Sequence, residues 1–248
     1  MYSEKEFIFG MHPVIEAIKG GRQIDRLLVK QGLRGESYHE LMNVVKEFGV
    51  PWQVVPQEKL DYLTKKNHQG VIAWLSLIEF QNIENIMPRI YEEGREPLLL
   101  MLDGVSDVRN FGAIVRSADC FGADAVIIPE KNSARITADA VKASAGALNT
   151  FPVCRVKSIT KCLTYLKESG LTSIAATEKT DDTIVKANMK GPVVIILGSE
   201  DKGISRELLD LADIHTAIPM KGGVGSLNVS VSAGILLYEV MRQRTIKD

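Results

Sequence analysis

Three stretches of the chain hold side chains whose types and spacing could do chemistry. The first, LDGVSDVRNFGAIVRSADCFGADAVII, ends an apolar run on Asp103 and Gly104, makes a polar turn over Asp107 to Asn110, and enters a helical stretch carrying Arg116. Asn110 and Arg116 could face one strand-end cleft. An Arg among Gly112, Ala113, Val115 and Ala118 must find an anion or sit at an edge. A salt bridge to Asp103 or Asp107 would satisfy it as well as a substrate anion would. The second stretch, IILGSEDKGIS, puts an acidic turn after an apolar run. Glu200 there is either a solvated acid or a group placed to hold a cation or orient an Arg. The third, IPMKGGVGSLNVSVSAGILLYEV, is a long Gly-rich loop from Pro219 to Leu227 before a helix that Ser226 or Asn228 can cap. Ser230, Ser232, Ala233 and Gly234 let that helix pack closely against a sheet or a second subunit, and the residues favour neither.

Several other chemistries are excluded. Gly198 and Gly203 have the spacing of a phosphate loop, but Ile204 stands where that motif requires Lys, so the chain is no P-loop nucleoside triphosphatase. No G-x-G-x-x-G follows a strand, which argues against a dinucleotide site. His12, His39, His68 and His215 are scattered and read as surface or turn histidines rather than metal ligands. Cys120, Cys154 and Cys162 are odd in number and lack C-x-x-C spacing, so neither a disulfide framework nor a zinc site is expected, and a reducing cytoplasm suits them. A net charge of −1 argues against a protein that coats nucleic acid wholesale but leaves room for a local basic face. MYSEKEFIFG does not read as a signal peptide, and no run approaches the ~20 apolar residues of a membrane helix.

The elements that must position these stretches follow from apolar periodicity. Residues 1–78 alternate strand-like FIFG, IDRLLVK, WQVV and GVIAWLSL with helix-like HPVIEAIKG, ESYHELMNVVKEFG and PQEKLDYL, which predicts a small α/β domain. Lys65 to Gln69 make a polar turn before its last strand, read as solvated rather than bound to phosphate. Residues 79–97, with two Pro, one Gly and many charges, are expected as a linker, with a short helix possible in IENIMPRIYEE. From residue 98 to 248, the runs LLLML, AVIIP, PVCRV, TSIAA, VVIILG and HTAIP alternate with helical stretches. That order predicts a parallel sheet covered on both faces.

Taken together, N-F-G-A-I-x-R-x-A, I-L-G-S-E-x-x-G and I-P-M-x-G-x-x-x-S-L-N-V-S-V-S resemble the three signature motifs of the SpoU/TrmH family of RNA ribose 2′-O-methyltransferases. IFGMHPVIEAI and NHQGVIAWL are similar to the substrate-binding extension of the branch that modifies 23S ribosomal RNA guanosine. The resemblance implies a SPOUT-type α/β knot, a parallel sheet with a C-terminal trefoil knot, preceded by a small L7Ae/L30e-like α/β domain. It implies S-adenosylmethionine as cofactor, held at Leu197, Gly198, Ile218, Met220 and Leu227, and a homodimer formed through the knot helices.

By the same carry-over, Arg116 acts on the ribose 2′-oxygen or adjacent phosphate, Asn110 and Glu200 position the groups around it, and Ser226 with Asn228 completes the site. Arg109, Arg135 and Lys142 are candidate RNA contacts. The expected partner is 23S ribosomal RNA, with no metal and no membrane. A transfer RNA methyltransferase of the same family and a catalytically silent RNA-binding protein of this fold are the rival readings.

Overall fold

The computed structural model describes residues 7–245, which divide into two compact units, residues 7–79 and 80–245. The first unit is a four-stranded sheet ordered β1 (Phe7–Phe9), β4 (Val71–Leu75), β2 (Ile24–Lys30), β3 (Trp52–Val55). Strand β4 runs antiparallel to β1 and β2, and β3 is parallel to β2. Alternate residues of a strand face opposite sides. Leu27 and Val29 therefore pack with Val14, Ile15 and Ile18 of α1 (Met11–Lys19) and Leu41, Val44 and Val45 of α2 (Glu36–Glu47). Leu28 turns the other way, to Leu60 of α3 (Gln57–Leu63), Ile72 and Trp74.

His68, expected at the surface, is only 8% exposed. Its Nδ1 accepts from the Gly70 N–H at 3.0 Å, so Nε2 carries the proton and lies 2.9 Å from Asp61 Oδ1. That bond holds the Asp61 carboxyl below its ordinary value. A turn full of polar residues hides a buried one here because both ring nitrogens find partners.

The second unit is a seven-stranded sheet in the order β11, β9, β10, β6, β7, β8, β5. These are Ile214–Thr216, Thr172–Ala176, Val193–Gly198, Leu98–Asp103, Ala125–Pro129, Val153–Val156 and Phe80–Gln81, and every pairing is parallel. One face, with Leu99, Met101, Ile127 and Ile196, is covered by α4 (Ile83–Glu92), α7 (Ile159–Glu168) and α8 (Arg206–Leu211). On the other, α5 (Val108–Cys120) lies against β7 and α9 (Val229–Thr245) against β10.

Residues 79–97 are not a bare linker: β5 adds an edge to this sheet and α4 buries Ile83, Met87 and Ile90 in its core. The helix tolerates Pro88 within it because one apolar stripe is fully covered, which outweighs a single missing backbone bond. Of the segment ITADAVKASAGAL, which lies between two of the sheet's strands, only α6 (Ala138–Ala143) is α-helical, because Ala145 and Gly146 adopt φ of 51° and 90°, outside the right-handed helical region. A 3₁₀ turn at Ala147–Asn149 follows.

Candidate active site

The two central strands end level. Gly198 pairs with Asp103, so the turns leaving β10 and β6 emerge side by side. After β10 the chain folds straight back: the Gly203 N–H donates to Ser199 O at 2.9 Å, and Gly203 has φ 68°. A Cβ at Gly198 would lie 2.0 Å from the Gly203 carbonyl carbon, so this doubling back needs glycine. The turn projects Glu200 outward.

After β6, Asp107 caps α5 by accepting from the Asn110 N–H at 2.7 Å. Asn110 Nδ2 then donates to Glu200 Oε1 at 3.0 Å. Asn228 Nδ2 donates to the same oxygen at 2.7 Å and to Asn110 Oδ1 at 3.0 Å. Its own Oδ1 accepts from the Ser230 N–H at 3.0 Å, so Asn228 also caps α9. The Val229 N–H reaches Glu200 Oε1 at 3.4 Å, placing a carboxylate at the electropositive start of a 17-residue helix. Residues from all three motifs, separated by 90 and 118 positions, thus share one hydrogen-bonded knot of side chains.

Beside this network lies a cleft of about 690 Å³. All five residues expected to hold a cofactor line it: Leu197, Gly198, Ile218, Met220 and Leu227, together with Glu200 and Ser226. Ser226 is part of the wall and not of the Asn–Glu network. Two of the apolar residues, Met220 and Leu227, remain 40% and 37% exposed on their loop. The polar wall formed by Thr177 to Asp181 went unnoticed in the sequence, although the run TEKTDDT directly after a strand was a signal for it. This wall is tied down at β11: Thr177 N–H donates to Thr216 O at 2.9 Å and Ala217 N–H to Asp182 O at 2.7 Å. Among the lining side chains Glu178, Asp181, Glu200 and Asp201 face only Lys179 and Lys202, a balance that favours a cationic ligand.

Arg116 does not join the group. It is exposed on α5 and makes no hydrogen bond or ion pair among the described residues, to Asp103 and Asp107 included. The expectation that it shares a cleft with Asn110 fails within one copy of the chain, because six residues of helix turn the side chain by about 240°. Arg109 is exposed in the first turn of α5 and Lys142 in the last turn of α6, whereas Arg135 is half-buried and engaged with the protein.

Residues 97–238 match the model of the SpoU rRNA Methylase family, and residues 7–81 match that of RNA 2′-O ribose methyltransferase substrate binding. The chain belongs to the SpoU/TrmH family of RNA methyltransferases. A TrmH family tRNA/rRNA methyltransferase of Staphylococcus epidermidis is 38% identical over 239 residues, 96% of this chain and 95% of that protein. The crystal structure of the SpoU methyltransferase AviRb from Streptomyces viridochromogenes, in complex with AdoMet, superposes with a TM-score of 0.60 at 25% identity, covering 96% of this chain and 89% of that one. An AdoMet-bound rRNA methyltransferase from Sinorhizobium meliloti shares the fold, with a TM-score of 0.62 at 23% identity over 98% of this chain and 88% of that one. The second unit of this SpoU/TrmH chain is thus a SPOUT methyltransferase domain, preceded by a substrate-binding domain.

Proposed function

We propose that this chain is an S-adenosylmethionine-dependent RNA ribose 2′-O-methyltransferase acting on a guanosine of 23S ribosomal RNA. The observation that carries the reading is the network of Asn110, Glu200 and Asn228 at the edge of a cleft lined by Leu197, Gly198, Ile218, Met220 and Leu227. The cleft fits the methyl donor: its volume is that of a cofactor site, its loops offer exposed apolar side chains to a purine, and its carboxylates suit a sulfonium cation. The donor supplies an electrophilic methyl group. The protein's task is to present a ribose hydroxyl in line with it and to stabilise the charge that develops on the oxygen.

Glu200 fixes the two asparagine amides and the start of α9, which sets the floor on which the acceptor ribose rests. Arg116, with its fixed fork of donors, stabilises the developing alkoxide or the adjacent phosphate. It does so from a second copy of the chain. Two features support that arrangement. Arg116 lies outside its own cleft, and α9 leaves Val231, Tyr238 and Met241 exposed along one face while Ala233, Leu236, Leu237 and Val240 are buried on the other. A knot formed by the last helix would hold both donor loops rigid. Arg109 and Lys142 are suited to RNA phosphates.

The test is calorimetric binding of S-adenosylmethionine followed by transfer of labelled methyl to 23S and transfer RNA separately, with the product nucleotide mapped. Methyl on a 2′-oxygen of a 23S guanosine is expected. Transfer confined to transfer RNA, or RNA binding with no donor binding, would replace this reading with one of its rivals. Arg116→Lys is expected to lower kcat at least tenfold with RNA affinity unchanged, and sedimentation at micromolar concentration to show a dimer.

A further inference from the structure

Asp103 lies outside the cleft lining, yet it closes the loop that carries the site's central carboxylate. Its backbone pairs with Gly198, where the loop leaves β10, and its Oδ2 accepts from the Ser205 N–H at 2.7 Å, where the loop enters α8. Both ends of the segment 198–205 are therefore held by one residue. Between them the chain has little freedom. Gly198 sits against the Gly203 backbone, Lys202 N–H donates to Ser199 Oγ at 3.2 Å, and Ile204 is buried. Ser199 Cβ lies 3.6 Å from where a Cβ at Gly104 would stand, so the turn also rests on the residue following Asp103.

The side chain of Asp103 has no other hydrogen bond or ion pair among the described residues. A half-buried carboxylate spent on a single main-chain N–H is a fastening, since a charged acceptor makes a stronger bond than a neutral one. We infer that Asp103 is a positioning residue for methyl transfer: it sets Glu200, and through Glu200 the amides of Asn110 and Asn228, by clamping the segment 198–205. The inference rests on the methyltransferase reading, and it deepens it by adding a residue that touches neither donor nor RNA.

The chemistry predicts an ordered response to substitution. Asn keeps an oxygen that can accept from Ser205, so Asp103→Asn should retain donor affinity and kcat within about threefold. Ala has no acceptor, so Asp103→Ala should weaken donor binding and lower kcat by about tenfold or more, the factor expected for losing a charge-assisted bond. Ser205→Pro removes the same bond from the donor side, at a residue whose φ of −60° already suits proline. Its effect should match that of Asp103→Ala, and the double variant should be no worse than either single one.

Amide exchange of residues 199–205 in the ligand-free full-length protein supplies a readout independent of the donor. Faster exchange confined to this segment in Asp103→Ala, with Asp103→Asn like the wild type, is the expected result. Unchanged exchange in Asp103→Ala, additive loss in the double variant, or an Asp103→Asn variant as impaired as Asp103→Ala would each overturn the inference. Absence of donor binding in the wild type would instead overturn the methyltransferase reading, and the exchange result would still decide what Asp103 does.

Discussion

Replacing Glu200 by Gln tests the network with little change of shape. Three donors converge on Glu200 Oε1: Asn110 Nδ2 at 3.0 Å, Asn228 Nδ2 at 2.7 Å and Val229 N–H at 3.4 Å. A charged acceptor exceeds a neutral one by about 1 kcal/mol per well-formed bond, so the two short bonds lose about 2 kcal/mol. Removing a carboxylate from the start of α9 costs a further ~0.3–1 kcal/mol. Glu200 is exposed, and screening by water cuts the sum to roughly 1–1.5 kcal/mol. In a domain of this size that is a fall in Tm of about 2–6 °C. Glu200→Ala also loses the acceptor itself and should fall further.

The assay is thermal unfolding of the full chain, with and without S-adenosylmethionine, for both variants, Asn228→Ala and the double variant Glu200→Ala/Asn228→Ala. Because Glu200 and Asn228 share a bond, the double variant should cost less than the sum of the single ones by at least ~0.5 kcal/mol. The same variants should lower kcat more than they raise KM for RNA, since the network orders only the acceptor ribose and the remaining contacts to the nucleic acid lie elsewhere. Strict additivity, or a Glu200→Ala protein that melts with the wild type, would show that the three residues are neighbours without being coupled.

Three further outcomes follow from the packing and the titrating groups. Gly112→Ala should destabilise by at least about 1–3 kcal/mol in a denaturant titration, because its Cβ would come within 2.5 Å of the Ala140 carbonyl oxygen and 2.7 Å of Ala143 Cβ, where α5 and α6 press together. A thiol reagent at pH 8 should label Cys120, which is exposed, and spare Cys154 and Cys162, whose thiols burial pushes up to about 12; mass spectrometry of native and unfolded protein would show it. Glu239 accepts from Arg242 at 2.6 Å and 2.8 Å, and this pairing holds its carboxyl below the ordinary value against the opposing effect of burial. Its contribution is present above the unfolded value of about 4.3 and is lost as pH falls through the lower folded value. Between about pH 5 and 3, Glu239→Gln should therefore lose less stability than the wild type, measured by denaturant midpoints at each pH.

Much of the architecture was legible because strands of a parallel sheet are buried on both faces and so read as uninterrupted apolar runs, as LLLML and VVIILG do. β5 escaped notice because two residues, Phe80 and Gln81, carry no periodicity; a tertiary partner, Val153 and Cys154 of β8, makes them a strand. The burial of His68 was hidden for a like reason: its partners, Asp61 and the Gly70 N–H, are supplied by the turn once folded.

At the site the division is sharper. Residue types and local spacing determined that a polar turn over Asp107 to Asn110 would lead into a helix, that an acidic turn would follow VVIILG, and that the Pro219 to Leu227 loop would end on a cap for the last helix. These are short-range matters of hydrogen-bond partners and backbone sterics, which a sequence states directly. That Asn110, Glu200 and Asn228 meet, that Asp103 reaches Ser205, and that Arg116 does not meet them was decided only by tertiary structure. The cause is strand order: β10 inserts beside β6 in a register that brings Gly198 level with Asp103, and helical rotation then carries Arg116 away from the junction that Asn110 enters. Pairing of strands ninety-odd residues apart and the accumulated turn of a helix are non-local quantities, and no motif spacing contains them.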